Sequence, residues 1–260
     1  MRIAARLAIP FLLFSAYCQS ENDIEKKLND YKDFLINGTY AGQDWSAFNP
    51  LPKSRYDTFK MAFEHFERAG GKIVVELGTS RSFTNGSLPG CNLSDVHYWT
   101  PDQPENWDWG AGFFTRMCAL SLQHLHPEIH TVDLISSHIA RCQVMTSEFS
   151  EMITYHVANS LDFLTEFAGQ IDLLYLDTGD MTPIEPTALL QLEEARLIVE
   201  RNVIADDGII LIDDVRNQTP KQFGEESDLG KSKYSLPYLL ENDFEMIANE
   251  YQVILKKRKK

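Results

Sequence analysis

Lys72-Ile73-Val74-Val75-Glu76-Leu77-Gly78-Thr79-Ser80-Arg81-Ser82 is the stretch on which the fold turns. Ile73, Val74 and Val75 are consecutive and β-branched, which suits a strand buried on both faces of a parallel sheet. The run closes on an acid, Glu76, and then on Gly78, where the backbone can turn tightly and come close to a ligand with no Cβ in the way. Open α/β sheets bind ligands outside the carboxyl ends of their strands, and Glu76 stands at such an end. The spacing is a weakened nucleotide-binding fingerprint: Gly78 is kept, while the later glycine positions hold Ser80 and Ser82. Alone, it is explained equally well by a strand and a structural turn, so the flanking segments decide.

Upstream, residues 22–36 are expected to form a helix with Ile24, Leu28, Tyr31 and Leu35 on one stripe. A second helix over 55–69 carries Tyr56, Phe59, Phe63 and Phe66 at helical spacing and is stopped by Gly70-Gly71. We read it as packing on the 72–77 strand. Downstream, Ser82 to Asp108 is a long excursion rich in aromatic residues, including Trp99 and Trp107, with Trp109 just beyond. Loops of that length are either functional lids or surface insertions. A helix near 110–125 then opens on Gly110-Ala111-Gly112, where free N–H groups favour anions.

From there strands and helices alternate. Strands are expected at 129–133, 153–157, 171–177 and 208–214, with helices at 137–150, from Asn159-Ser160 to 167, and at 186–201. The 186–201 helix is given Leu189, Leu192, Ala195 and Val199 as its inner stripe. Residues 215–234 read as a polar loop, and 244–248 with 251–255 as a hairpin turning at Asn249-Glu250. Alternation of this kind specifies a Rossmann-like, doubly wound α/β fold, with a mostly parallel seven-stranded sheet ending in an antiparallel hairpin.

Composition bounds the function. The chain has 260 residues and a net charge of −14. The basic residues of 1–20 and of the 256–260 tail removed, 17 basic face 38 acidic residues. A body that acidic repels phosphate backbones, so nucleic acid is not an expected partner. Residues 1–20 carry Arg2, Arg6 and a short apolar run, and read as a signal peptide or N-terminal anchor. That expectation places the protein in a secretory pathway, in a periplasm or on a membrane; without it, the cytoplasm. Asn37, Asn85, Asn92 and Asn217 head Asn-x-Ser/Thr triplets. Cys91, Cys118 and Cys142 have no metal-like spacing and are expected as free thiols. No Gly-x-Ser-x-Gly elbow occurs, which leaves nucleophilic hydrolysis without support.

Four strands end in acids: Glu76, Asp133, Asp177 and Asp213, with Asp214 adjacent. In a parallel sheet these ends share one edge. Any one of them is read as a cap or a solvated loop residue, but four at one structural position mark a site.

With these pieces in hand, residues 55–255 resemble the class I S-adenosylmethionine-dependent methyltransferases, in their catechol O-methyltransferase-like branch. The resemblance rests on Val75-Glu76-Leu77-Gly78, Thr131-Val132-Asp133, Ala158-Asn159-Ser160-Leu161-Asp162, Ile171 to Asp177, and Ile212-Asp213-Asp214. It implies a domain with a lid insertion at 82–109, behind an N-terminal helical extension at 21–54. It implies that Gly78, Thr79 and Ser80 face the amino-acid portion of S-adenosylmethionine, with Glu76 beneath. It further implies that Asp133 binds the ribose, and that Asn159 and Ser160 border the adenine. Asp177, Asp213 and Asp214 would be the ligands of a divalent ion such as Mg²⁺, and the acceptor would be a small molecule.

Two departures stand out. Asp214 holds a position where the branch has Asn, and Asp180, in Thr178-Gly179-Asp180, stands where the branch has its catalytic lysine. Asp177 and Asp180 are therefore the catalytic candidates, and Asp180 serves as a base only if its surroundings raise its pKa. The alternative is a methyltransferase-fold binding or regulatory protein that has lost its base. The sequence leaves oligomeric state open.

Overall fold

The computed structural model describes residues 23–37, 54–79, 112–179, 183–215 and 229–259. The excursion 82–109, Ser80, Asp180 and Cys91 lie outside them, as do the two ends of the chain.

The stretch Ile73–Leu77 is β1, an interior strand of a seven-stranded sheet ordered β3-β2-β1-β4-β5-β7-β6. The other strands are β2 (Glu128–Asp133), β3 (Ile153–Val157), β4 (Ile171–Leu176), β5 (Ile204–Ile212), β6 (Phe244–Asn249) and β7 (Val253–Lys257). β1 to β5 are mutually parallel, and β7 runs antiparallel to both β5 and β6. The fold class expected from the sequence is the one observed.

Two layers of helix cover the sheet because alternate strand residues face opposite sides. Val74, Leu173, Tyr175, Ile209 and Leu211 face one core, and Val75, Leu77, Leu174, Leu176, Ile210 and Ile212 the other. The first core is covered by α3 (Tyr56–Ala69), α4 (Phe113–Leu122) and α5 (Ser136–Met145), with short helices α1 (23–29) and α2 (Lys32–Asn37) adding Ile24, Leu28 and Leu35. A turn at Asp30 and Tyr31 divides what the sequence presents as one helix. The second core is covered by α6 (Ser160–Glu166), α7 (Ile184–Glu200) and α8 (Ser235–Glu241). No helix among the described residues is long and apolar enough to cross a membrane.

Four expectations are corrected. The aromatic helix α3 packs chiefly over β5, with β4 and β7, rather than over β1. Helix α4, which follows β1, covers β2 and leaves the other half of the sheet to α3. Phe59 meets Phe114 edge-on at 5.5 Å, and Phe114 stacks on Tyr175 of β4 at 3.9 Å. The inner stripe of α7 is Thr187, Ala188, Gln191, Glu194, Ala195 and Ile198, while Leu189 is exposed. Polar side chains are buried there because they hydrogen-bond the end of β4. Helix α8 escaped the reading; Pro237 sits in its first turn, where a missing N–H costs nothing. The hairpin turns at Glu250–Gln252, and Tyr251 and Gln252 point inward.

The cysteines behave as expected where they are described: Cys118 and Cys142 are free and buried.

Candidate functional site

The carboxyl ends of β1, β2, β4 and β5 bring Glu76, Asp133, Asp177, Asp213 and Asp214 to one edge of the sheet, as the strand ends require. Gly78 opens the first turn. Its φ is +84°, and a Cβ there would lie 2.6 Å from the carbonyl oxygen of Asp177. Both the backbone angle and the close pass of two strand ends therefore demand glycine. Gly78→Ala is expected to cost about 2 kcal/mol or more, from left-handed strain and this overlap together. Urea denaturation measures it; a variant within 0.5 kcal/mol of the parent (roughly the scatter of surface substitutions) would show that the turn relaxes freely.

Beneath this turn Glu76 is fully buried. Thr131, its register partner on β2, donates to Oε2 at 2.6 Å, and Thr115 of α4 donates to the same oxygen. Thr79 Oγ1 lies 2.6 Å from Thr131 Oγ1, so Thr79 donates and the turn is tied to the acid through Thr131. Glu76 Oε1 has no partner among the described residues. Burial raises the pKa of Glu76 to about 8 against the lowering effect of the two threonines. After Thr79 the described chain resumes at Gly112, whose N–H donates to the Thr79 carbonyl at 3.1 Å.

One strand over, Asp133 closes β2. Its Oδ1 accepts from the N–H of Ile135 at 2.8 Å, and Oδ2 lies 3.1 Å from His138 Nδ1. Next to it Leu134 is 68% exposed, and Ile135 and Val157 are exposed as well. A row of solvent-facing apolar side chains at strand ends is a wall awaiting a partner rather than a core. Asn159 caps α6, its Oδ1 accepting from the N–H of Leu161 at 2.8 Å. Ser160 is buried and bonds Glu194 of α7, which also accepts from Thr178 Oγ1 at 2.7 Å. Burial raises the pKa of Glu194 to about 7, with Ser160 and Thr178 opposing it.

The remaining acids meet as the sequence suggests: one oxygen from each of Asp177, Asp213 and Asp214 lies within 4.8 Å of the others. What the sequence does not suggest is that two cations are already among them. Arg55, just before α3, grips Asp213 through Nε at 3.0 Å and Nη2 at 2.7 Å. Lys231 Nζ bonds Asp177 Oδ1 and lies 3.1 Å from Asp214 Oδ2. Gln252 donates to Asp213 at 2.9 Å, and Tyr251 donates to Asp214. Burial by itself would lower the pKa of Lys231, but Asp177, Asp214 and Asp213 outweigh it and hold the ammonium above its ordinary range. The expected Mg²⁺ does not fit this arrangement, since the carboxylate oxygens are turned toward protein donors. The sequence carries one faint signal for it, the pair Gly230-Lys231 in an otherwise polar loop.

Residues 109–215 match the protein family described as "Methyltransferase domain". That stretch takes in β2 to β5, with Asp133, Asp177, Asp213 and Asp214 at or just beyond their ends. Among solved structures its fold is similar to the methyltransferase PaMTH1 of Podospora anserina, determined with SAH bound, at a TM-score of 0.53 and 12% identity, with all of both chains covered. It is also similar to the O-methyltransferase TomG of Streptomyces achromogenes, determined with SAM, at a TM-score of 0.50 and 11% identity over 88% of this chain and 94% of that one. No curated protein sequence matches the chain. The match to the methyltransferase domain begins at Trp109, so β1 and its turn, where Gly78 stands, precede the matched residues.

Proposed function

We propose that the protein transfers a methyl group from S-adenosylmethionine to an oxygen of a small molecule. The observation that carries this reading is the pairing of two strand ends. The tight turn at Gly78 lies over the buried Glu76, whose Oε1 is left without a partner among the described residues, and Asp133 stands one strand away beside the exposed Leu134. A buried carboxyl oxygen without a partner suits a donor at the amino-acid end of the cofactor, and an acid beside an apolar wall suits a ribose and its base. Gly78 and Thr79 would line the amino-acid portion, Asp133 would accept from the ribose, and Asn159 and Ser160 would border the adenine. When bound, the cofactor supplies an electrophilic methyl on a sulfonium. The chain's own part is then to hold the acceptor in line and to keep water out.

An oxygen acceptor is favoured because the acids at the ends of β4 and β5 give the same sheet edge a polar floor. Asp180 would serve as the candidate base. The same floor supports a second reading. Asp177, Asp213 and Asp214 are engaged by Arg55, Lys231 and Tyr251, which fits a domain that binds the cofactor and no longer turns it over. The N-terminal 1–20 segment would put either activity in a secretory compartment or on a membrane.

Calorimetric titration with S-adenosylmethionine and S-adenosylhomocysteine separates these from a domain without cofactor. Micromolar binding is expected, and Asp133→Ala is expected to weaken it roughly 10- to 100-fold, the worth of one charge-assisted hydrogen bond. Unchanged affinity in Asp133→Ala would remove the ribose role. Binding without turnover across a panel of phenolic and carboxylic acceptors would favour the second reading.

A further inference from the structure

We propose that Lys231, with Arg55, is the resident cation of the acidic site, standing where three converging carboxylates would otherwise recruit a divalent ion. The consequence for methyl transfer, that it runs without metal, rests on the function proposed above; the cation assignment does not.

The argument begins with charge. Three carboxylates whose oxygens approach within 4.8 Å, with side chains only 3–17% exposed, cannot persist without a positive partner. The chain supplies two. The Lys231 side chain is 2% exposed, and its ammonium has three donors. Asp177 Oδ1, Asp214 Oδ2 at 3.1 Å and the carbonyls of Gly179 at 3.4 Å and Asp177 at 3.5 Å surround them. Arg55 presents a planar fork to Asp213 and lies 4.8 Å over the ring of Tyr251. A hard divalent cation asks for about six oxygens in near-octahedral array at roughly 2.1 Å. It cannot share these carboxylates with a fixed ammonium.

Lys231 is not a surface lysine that has swung inward. Gly230 has φ +53°, and a Cβ there would overlap the carbonyl oxygen of Asp214. Only glycine lets the chain run against the end of β5 and drop the next side chain among the acids. Asp214 is itself left-handed at φ +54°, a conformation that Asn and Asp tolerate better than most residues. The two backbones are shaped around each other. Lys231 thereby ties the start of the 229–234 segment to the ends of β4 and β5. It acts as a positioning residue, its donors taken up by Asp177, Asp214 and the Gly179 carbonyl.

The test uses the purified full chain with Mn²⁺ as a paramagnetic probe, and runs an S-adenosylhomocysteine titration in parallel. The parent protein is expected to show no saturable Mn²⁺ site tighter than about 1 mM, the weak end of carboxylate sites. Lys231→Met, which keeps the bulk and removes the charge, is expected to bind Mn²⁺ at least about tenfold more tightly than the parent, and Lys231→Arg to behave as the parent. A stoichiometric Mn²⁺ site in the parent protein overturns the proposal. So does a folded Lys231→Met variant with no gain in Mn²⁺ affinity. If that variant does not fold, the parent titration decides by itself. Loss of S-adenosylhomocysteine binding alone, with the Mn²⁺ results as expected, would sink the methyltransferase reading and leave the cation assignment standing.

Discussion

Arg55→Ala is expected to lower the unfolding free energy by about 3–5 kcal/mol, the cost of leaving a buried carboxylate without its cation. In a domain of this size that is a fall in Tm of roughly 10 °C or more. Asp213 is only 3% exposed in its side chain and, among the described residues, keeps Gln252 as its strong side-chain donor once the guanidinium is gone. The arginine also joins distant parts of the fold: it precedes α3 and grips the end of β5, next to Tyr251 in the hairpin turn. Arg55→Lys should recover little, since a point charge cannot make the two-pronged contact. The informative variant is the double one. Asp213→Asn with Arg55→Ala removes both charges and should be less destabilised than the sum of the singles by more than about 1 kcal/mol. Thermal and urea denaturation of the four proteins measure this. Additive losses would mean that the pair contributes packing and little charge pairing.

The second large effect is on the pH dependence of stability. Burial raises Glu76 from 4.5 to about 8, so the folded protein holds a proton there that the unfolded chain releases near pH 4.5. A raised acid contributes stability that is fully present below the unfolded pKa and is lost as pH climbs through the folded one. The loss from Glu76 therefore falls between about pH 4.5 and 8 and amounts to on the order of 5 kcal/mol. Glu194, raised to about 7 on the opposite face of the sheet, acts in the same direction over a narrower window. Calorimetric Tm values at intervals from pH 5 to 9 should fall with rising pH in the parent protein, and Glu76→Gln should show a distinctly shallower fall. Superimposable curves would mean that Glu76 is ionised in the folded state throughout.

Sequence and structure agree where the signal is local. Ile73-Val74-Val75, Ile209 to Ile212 and the acids that follow such runs announce buried strands that end in carboxylates along one edge, and that edge is there. The bringing together of Asp177, Asp213 and Asp214 follows from the same logic. What could not be read is what neutralises them. Lys231 is 54 positions from Asp177 and Arg55 is 158 from Asp213, and no spacing rule spans such separations. Helix α7 misleads for a related reason. Gln191 and Glu194 look like surface residues, but the Thr178 end of β4 supplies partners that let them be buried, and Leu189 is displaced to solvent. The hairpin turn sits one to two residues later than its sequence suggests because Tyr251 and Gln252 are drawn into the acidic site.

The hydrogen bond between Gly112 and the carbonyl of Thr79 has a consequence for how this protein can vary. The two residues are 33 positions apart in sequence and 3.1 Å apart in space. Thr79 and Gly112 are thus held side by side, and a connection of any length that can close between them meets the sheet at the same two positions. Each doubling of a closed loop costs only about 0.6 kcal/mol in chain entropy. That junction is a socket: segments of very different size and sequence can be exchanged there, beside the glycine turn, while the strands that carry the acids keep their register.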